Sequence, residues 1–289
     1  MTDIRFAREV QRWYDANKRD LPWRGPDVTA WGVLVSEVML QQTPVARVLP
    51  AWQAWLARWP IPASLAGEAP GEAVRQWGRL GYPRRALRLH QAANAIVARH
   101  GGEVPASYDD LLALAGVGGY TAAAVAVFGY HARHAVLDTN VRRVYARFFS
   151  GAADVATASP SRAEQAAATD RVPALDPARY SVAVMELGAL VCTSRDPRCG
   201  ACPVRGDCAW RRAGKPAAAA TRKPQGYAGT DRQVRGRLLA VLREAADVVT
   251  RPELEIVWDD VVQRERSLAG LIEDGLVEAV GSDLFRLPT

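Results

Sequence analysis

Residues 191–208 read VCTSRDPRCGACPVRGDC and hold every cysteine of the 289-residue chain. The spacing is Cys192-x6-Cys199-x2-Cys202-x5-Cys208. Four thiols gathered in one short loop, with none elsewhere, point to a shared metal centre. Thiolates in this number suit zinc or an iron–sulfur cluster. Structural zinc draws its ligands mostly from two short knuckles, and only Cys199 and Cys202 form one here. A cluster of four irons is wider than one ion and accepts longer, uneven arms, so the spacing favours 4Fe–4S over zinc. Arg195 and Arg198 lie inside the loop, where they either solvate it or present charge to a phosphate.

Working outward, the length suggests two domains, or one large domain with an appendage. Hydrophobic residues make up 49% of the chain, enough for a sizeable core. No apolar run approaches the roughly 20 residues that a membrane-spanning helix needs. The N-terminus, MTDIRFAREVQRWYDANKRD, is dense in charge and lacks the apolar stretch of a secretory signal. A cytoplasmic protein is therefore expected, and disulfides are rare in that compartment. The net charge of +6 is unevenly spread: residues 1–225 carry 29 Lys+Arg against 19 Asp+Glu, and residues 226–289 carry 8 against 12. A basic main body is the footprint of a polyanion binder, although a solvated basic surface reads the same way.

The first 210 residues are patterned as helix after helix. Apolar positions recur at three- and four-residue spacing in 74–80, 84–99, 109–114, 120–130 and 141–149, and no segment alternates for long. The predicted fold is all-α. Residues 213–229 contain Pro, Ala and Lys/Arg without a periodic face and read as a linker. Residues 230–289 offer three short helices, at 232–245, 251–258 and 261–274, and then an alternating pair of segments around Gly281. Three helices followed by a hairpin describe a small winged-helix-like domain, which leaves a main domain of 1–212.

Three positions within that domain suggest chemistry. Gly116-Val117-Gly118-Gly119 sits between two helices, where glycine permits a sharp turn and close approach to another molecule. The amides that open the following helix can hold a phosphate. Asp138 directly precedes a helix, so it reads as an N-cap, and the helix dipole favours its ionised form. Glu37 falls in WGVLVSEVMLQQT, a helix apolar nearly all round and hence buried. Burial should raise the pKa of that carboxyl, which suits a general acid.

The x6-x2-x5 cysteine loop, following MELGALVC, resembles the cluster loop of the endonuclease III and MutY class of DNA glycosylases. The stretch LAGVGGYT resembles their helix–hairpin–helix, which grips the DNA backbone without reading bases. SEVMLQQT is similar to the MutY-type adenine glycosylases in particular. The resemblance implies that Glu37 protonates adenine on its five-membered ring and that Asp138 stabilises the sugar cation, with Asn140 beside it. It implies that Gln42 inserts into the DNA stack, while Gln41, one turn after Glu37, faces the same site. Trp23 and Arg24 would enclose the extruded adenine, Glu186 would hydrogen-bond its edge, and Tyr82 would wedge beside 8-oxoguanine. Bifunctional relatives carry a lysine where this chain has Tyr120, and a phenol cannot form a Schiff base. Trp23, Tyr82 and Tyr120 also have an ordinary reading as packing residues.

The expected function is a monofunctional glycosylase that hydrolyses the N-glycosidic bond of adenine opposite 8-oxoguanine or guanine in duplex DNA. It would carry one 4Fe–4S cluster and act as a monomer in the cytoplasm, on the nucleoid. The resemblance ends near residue 212: MutY-type enzymes continue into a larger Nudix-like domain, so recognition of the opposite base is in doubt. Pro83 replaces a frequent second tyrosine, and Thr139 a frequent glycine. Two other readings are a glycosylase for thymine or uracil opposite guanine, and a non-catalytic iron–sulfur protein that binds DNA or senses redox state. Gln41-Gln42 argues against the first, and intact Glu37 and Asp138 argue against the second.

Overall fold

The computed structural model describes residues 3–155, 157, 159–217 and 226–289. Of the expected linker, residues 218–225 lie outside the described residues. The first helices are α1 (Asp3–Asn17), α2 (Ala30–Leu40), α3 (Val45–Arg58), α4 (Pro62–Ala66), α5 (Pro70–Trp77) and α6 (Arg84–His100). Then come α7 (Tyr108–Leu112), α8 (Gly119–Tyr130), α9 (Thr139–Tyr145), which runs into a π-helical turn at Ala146–Ser150, α10 (Arg162–Arg171), α11 (Pro177–Leu190) and α12 (Ala209–Arg212). The C-terminal part contains α13 (Asp231–Glu244), β1 (Val249–Thr250), α14 (Arg251–Glu255), α15 (Val261–Glu273), β2 (Glu278–Val280) and β3 (Leu284–Arg286).

These elements form two compact units, and neither is one continuous stretch of chain. The first joins the chain up to Ala30, Ala106–Leu112 and the stretch from Gly118 through α12. Its core follows from helix periodicity. α1 buries Phe6, Val10 and Tyr14, one face at four-residue spacing, and packs on α11, which contributes Tyr180, Ala183, Val184 and Leu187. Val141 and Val144 of α9 join the same core, and the Phe6 ring centroid lies 4.5 Å from that of Phe148. Each such large apolar side chain contributes about 1.5–3 kcal/mol when fully buried. Helix α8 has no polar face: Thr121 through Val127 are all buried. α9 and α11 meet at Gly188, where a Cβ would lie 2.7 Å from Cβ of Asn140, so only glycine allows this approach.

The second unit holds Trp31–Pro105, Ala113–Val117 and residues 226–289. Its centre is aromatic. Trp55 meets Trp59 and Trp77 edge-on, at 4.7 and 5.7 Å between centroids, and Trp31 Nε1 donates to the Trp59 carbonyl at 3.0 Å. α6 ends at Gly101, a left-handed residue whose N–H caps the last turn. At the start of α5 the Gly71 N–H donates to the Pro288 carbonyl at 2.7 Å, and a side chain at Gly71 would collide with that carbonyl.

Within residues 226–289, α13 packs on α15 beside an antiparallel sheet of order β1-β3-β2. Val249 pairs with Phe285, and Val280 with Leu284. Two features differ from the sequence expectation. β1 is too short to show alternation. The helix expected over 251–258 stops at Glu255, because Arg264 Nη1 takes the carbonyls of Glu255 and Trp258 at 3.1 and 2.9 Å and Asp260 caps the next helix.

Candidate active site and cluster loop

Glu37 lies in α2, where every residue from Trp31 to Met39 is buried, and is itself 5% exposed. The helix ends at Leu40, and Gln41 and Gln42 follow it in a turn, Gln41 one residue past the helix end. Gln42 is exposed and left-handed, with φ +54°. Tyr82 is likewise left-handed, with φ +49°, and half its surface is exposed. A non-glycine residue in this region is strained and persists only when its surroundings hold it. Arg85 supplies the hold for both turns. From a buried position it donates to the carbonyls of Val38 (2.9 Å), Gln41 (2.6 Å) and Gly81 (3.1 Å), and to Thr43 Oγ1 (3.2 Å). Its guanidinium also lies 5.2 Å from the Tyr82 ring centroid.

In the first unit Asp138 caps α9, accepting from the Val141 N–H at 2.6 Å through Oδ1. Its other oxygen accepts from Asn140 Nδ2 at 2.7 Å. Arg143 holds Asn140 in turn through Oδ1 at 2.7 Å, and also donates to the Gly188 carbonyl (2.9 Å) and the Cys192 carbonyl (2.7 Å). A continuous chain of hydrogen bonds therefore runs from Asp138 to the cysteine loop. Burial pushes the Asp138 carboxyl above its ordinary value, against the Val141 amide, Asn140 and Arg143, which pull it down. The helix start alone does not outweigh desolvation.

Glu186, on α11, is fully buried, and both its oxygens are taken. Oε1 accepts from the Arg19 N–H (3.0 Å) and Nε (2.7 Å); Oε2 accepts from Arg19 Nη2 (2.8 Å) and Arg24 Nη1 (2.9 Å). Burial alone would raise this carboxyl, but the Arg19 hydrogen bonds and the Arg24 charge win and hold it at about 2. The resemblance places Glu186 at the adenine edge; in this structure its oxygens face the two arginines. Trp23, in the 3₁₀ turn Pro22–Arg24, is buried.

The glycine turn reads as anticipated locally. Gly116 is left-handed, with φ +76°, and Gly118 precedes α8, whose first residues are Gly119 and the partly buried Tyr120. Val117 is buried, while Gly116, Gly118 and Gly119 are exposed.

The cysteine loop closes on the core of the first unit. Cys192, Cys202 and Cys208 pack against it, and none of the four thiols is in a disulfide. Burial pushes the Cys202 thiol up to about 11. Four cysteines on one partly buried loop, none in a disulfide, are a donor set that fits a 4Fe–4S cluster. Arg147, in the π-helical turn, shapes the loop by donating to the Thr193 and Ser194 carbonyls at 2.7 and 3.2 Å and to Cys192 Sγ at 3.5 Å. Arg195 and Arg198 are exposed on it.

Four of these residues stand out only in the structure: Arg19, Arg85, Arg143 and Arg147. The clue available for the last pair was their four-residue spacing on one helix before the cysteine loop.

Residues 35–169 match the HhH-GPD superfamily of base excision DNA repair proteins, and residues 192–208 match the iron–sulfur binding domain of endonuclease III. Over 280 residues the chain is 53% identical to an adenine DNA glycosylase of Mycolicibacterium smegmatis, covering 96% of this chain and 94% of that protein. It is 51% identical to that of Mycobacterium tuberculosis, covering 96% and 91%. The human adenine DNA glycosylase matches at 39%, over 70% of this chain but 39% of its own length. Among solved structures, a thermostable thymine-DNA glycosylase superposes with a TM-score of 0.67 at 23% identity, covering 73% and 97%, and an endonuclease III in a DNA complex with 0.61 at 19%, covering 74% and 100%. These two likenesses show the fold. With identities of 51–53% over 96% of its length to adenine DNA glycosylases, and with the superfamily and iron–sulfur matches, the chain belongs to the adenine DNA glycosylase family of the helix–hairpin–helix superfamily.

Proposed function

We propose that the protein excises adenine opposite 8-oxoguanine or guanine in duplex DNA and leaves an abasic site without cutting the strand. Glu37 donates its proton to the five-membered ring of adenine, the bond from that ring to the sugar breaks, and adenine departs neutral. Asp138, ionised, stabilises the sugar cation until water adds to the anomeric carbon and releases a proton. Asn140 keeps the Asp138 carboxylate aimed by donating to one of its oxygens. Trp23 and Arg24 bound the extruded base, with Arg24 oriented by Glu186. Base extrusion costs roughly a few kcal/mol, which Gln42 and Tyr82 offset by filling the stack. Gly116–Gly119 and the exposed Arg195 and Arg198 hold backbone phosphates. Tyr120 has no amine, so no covalent enzyme–sugar imine forms. The 4Fe–4S cluster, held by Cys192, Cys199, Cys202 and Cys208, supplies no step in this hydrolysis; it ties the loop together. The protein acts as a monomer in the cytoplasm, on the nucleoid. Residues 1–212 form the catalytic domain, 213–229 the linker and 230–289 the winged-helix-like domain.

The observation that carries this proposal is the place of Glu37: a carboxyl 5% exposed, set within nine consecutive buried residues of α2. Single-turnover base release from duplexes with adenine opposite 8-oxoguanine, adenine opposite guanine and thymine opposite guanine tests it. Release of adenine, revealed as breaks only after alkali, is expected. Release of thymine, or strand breaks without alkali, would refute it.

A further inference from the structure

The turn at Gln41–Gln42, the start of α6 and one side of α13 enclose a cavity of about 500 Å³, all within the second compact unit. Arginine dominates its wall. Arg84, Arg85 and Arg88 come from α6, Arg232, Arg235 and Arg243 from α13, and the one carboxylate is Asp274. The six are not equivalent. Arg85 is engaged by the carbonyls described above. Arg243 Nε donates to the Val74 carbonyl at 2.9 Å, and burial lowers its pKa to about 10. Asp274 pairs with Arg84 at 3.1 Å and with Arg235. Arg88 and Arg232 remain, both exposed and without an acid partner among the described residues.

Both are held in place although nothing neutralises them. The stem of Arg88 lies against the hairpin: a Cβ at Gly116 would come within 2.8 Å of Arg88 Cβ. The Arg232 guanidinium sits 5.2 Å over the Tyr227 ring. Guanidiniums whose stems are already ordered lose little entropy on binding, and their forked donors match phosphodiester oxygens. The same cavity is lined by Gln42 and Tyr82, the exposed residues assigned above to the DNA stack.

We propose that this cavity is a DNA-backbone site, in which Arg88 and Arg232 hold phosphates beside the base pair that Gln42 and Tyr82 open. The C-terminal segment thereby forms part of the DNA-binding surface through α13, despite its net negative charge. The inference rests on the glycosylase reading for the identity of the polyanion.

The test uses full-length, cluster-loaded protein and a duplex with adenine opposite 8-oxoguanine. Dissociation constants are measured by fluorescence anisotropy across a range of potassium chloride concentrations, for the parent and for Arg88→Ala, Arg232→Ala and Arg237→Ala. Each lost phosphate contact should lower the slope of log K against log salt by about 0.9 and weaken binding about eightfold at about 0.1 M salt. Arg88→Ala and Arg232→Ala should each show this. Arg237→Ala should not, because its guanidinium stacks 5.0 Å over Trp258 and does not line the cavity. Single-turnover adenine release by Arg237→Ala at saturating protein should stay within about twofold of the parent. Unchanged slopes in Arg88→Ala and Arg232→Ala, or an equal loss in Arg237→Ala, overturn the site. So does stronger competition by inorganic phosphate than by chloride at equal ionic strength without any slope change, since the cavity then holds a free anion. Adenine release by the parent with unchanged slopes refutes the site alone. Altered slopes with no adenine release refute the glycosylase reading and leave the DNA site standing.

Discussion

Replacing Glu186 by glutamine should cost the protein about 3 kcal/mol. The carboxyl is held at about 2 against an ordinary 4.5. At about 1.4 kcal/mol per pH unit, that difference corresponds to roughly 3 kcal/mol favouring the ionised form. The side chain is fully buried, so the carboxylate itself is not screened, but Arg19 is 37% exposed and its share is discounted, which places the value toward 2–3 kcal/mol. Glutamine conserves shape, yet it removes the charge and turns an N–H₂ toward guanidinium donors, leaving buried groups unmatched. The sign follows from linkage. The folded pKa is depressed, so the stabilisation is complete above the unfolded value of about 4.5 and is lost as pH falls toward about 2. A measurement near pH 7 reads all of it. The assay is thermal unfolding of cluster-loaded protein followed by circular dichroism. For a chain of this size 1 kcal/mol moves the midpoint by about 2–4 °C, so a fall of roughly 5–10 °C is expected. Arg19→Ala combined with Glu186→Gln should fall little further than the worse single variant, because both remove one interaction. A Glu186→Gln midpoint within about 1 °C of the parent would refute the reasoning, because the two arginines would then add nothing net.

Further outcomes follow from other contacts. Asp138→Asn keeps an acceptor for the Val141 N–H and removes a carboxylate that burial penalises, but sets an N–H₂ against the Asn140 Nδ2 donor. With a raised folded pKa the burial penalty is absent at low pH and complete above the folded value, so the two effects oppose at pH 7 and the variant should melt within about 4 °C of the parent while adenine release falls at least about 10²-fold. A clear drop in its midpoint would contradict this. Gly188→Ala must push α9 from α11, costing about 1–3 kcal/mol and displacing Asn140; an unchanged denaturant midpoint would show that the approach is not tight. Arg85→Lys keeps the charge but cannot span three carbonyls, so duplex binding should weaken with the salt slope nearly unchanged. A lowered slope would instead make Arg85 a phosphate contact.

The cysteine loop and the long helices were legible in the sequence because their signals are local. Ligand spacing is a property of consecutive residues, and α6 and α8 carry their periodicity or their uniform apolarity over many turns. What was hidden depends on distance along the chain. The partners of Glu186 lie 162 and 167 residues away, so no window of sequence shows that its charge is already matched. Helix α14 ends early because Arg264, nine residues beyond Glu255, takes its carbonyl. Gln42 and Tyr82 adopt left-handed backbones without the glycine that usually announces them, and the Arg85 guanidinium that holds the carbonyls before both lies 44 residues beyond Gln41. Net charge hid a local pattern: residues 226–289 sum to −4, yet three arginines of α13 line one cavity.

Asp138 both caps a helix and, on the proposed mechanism, serves the reaction, and this has a consequence for inheritance. A change to asparagine would remove the chemistry and spare the fold, because the cap survives. The product of such an allele would accumulate to normal abundance, find mispaired adenine and stay there. In a cell holding both forms it would compete with the working enzyme for each lesion. A chain-terminating allele would leave no such competitor, so the mild substitution should give the higher mutation rate of the two.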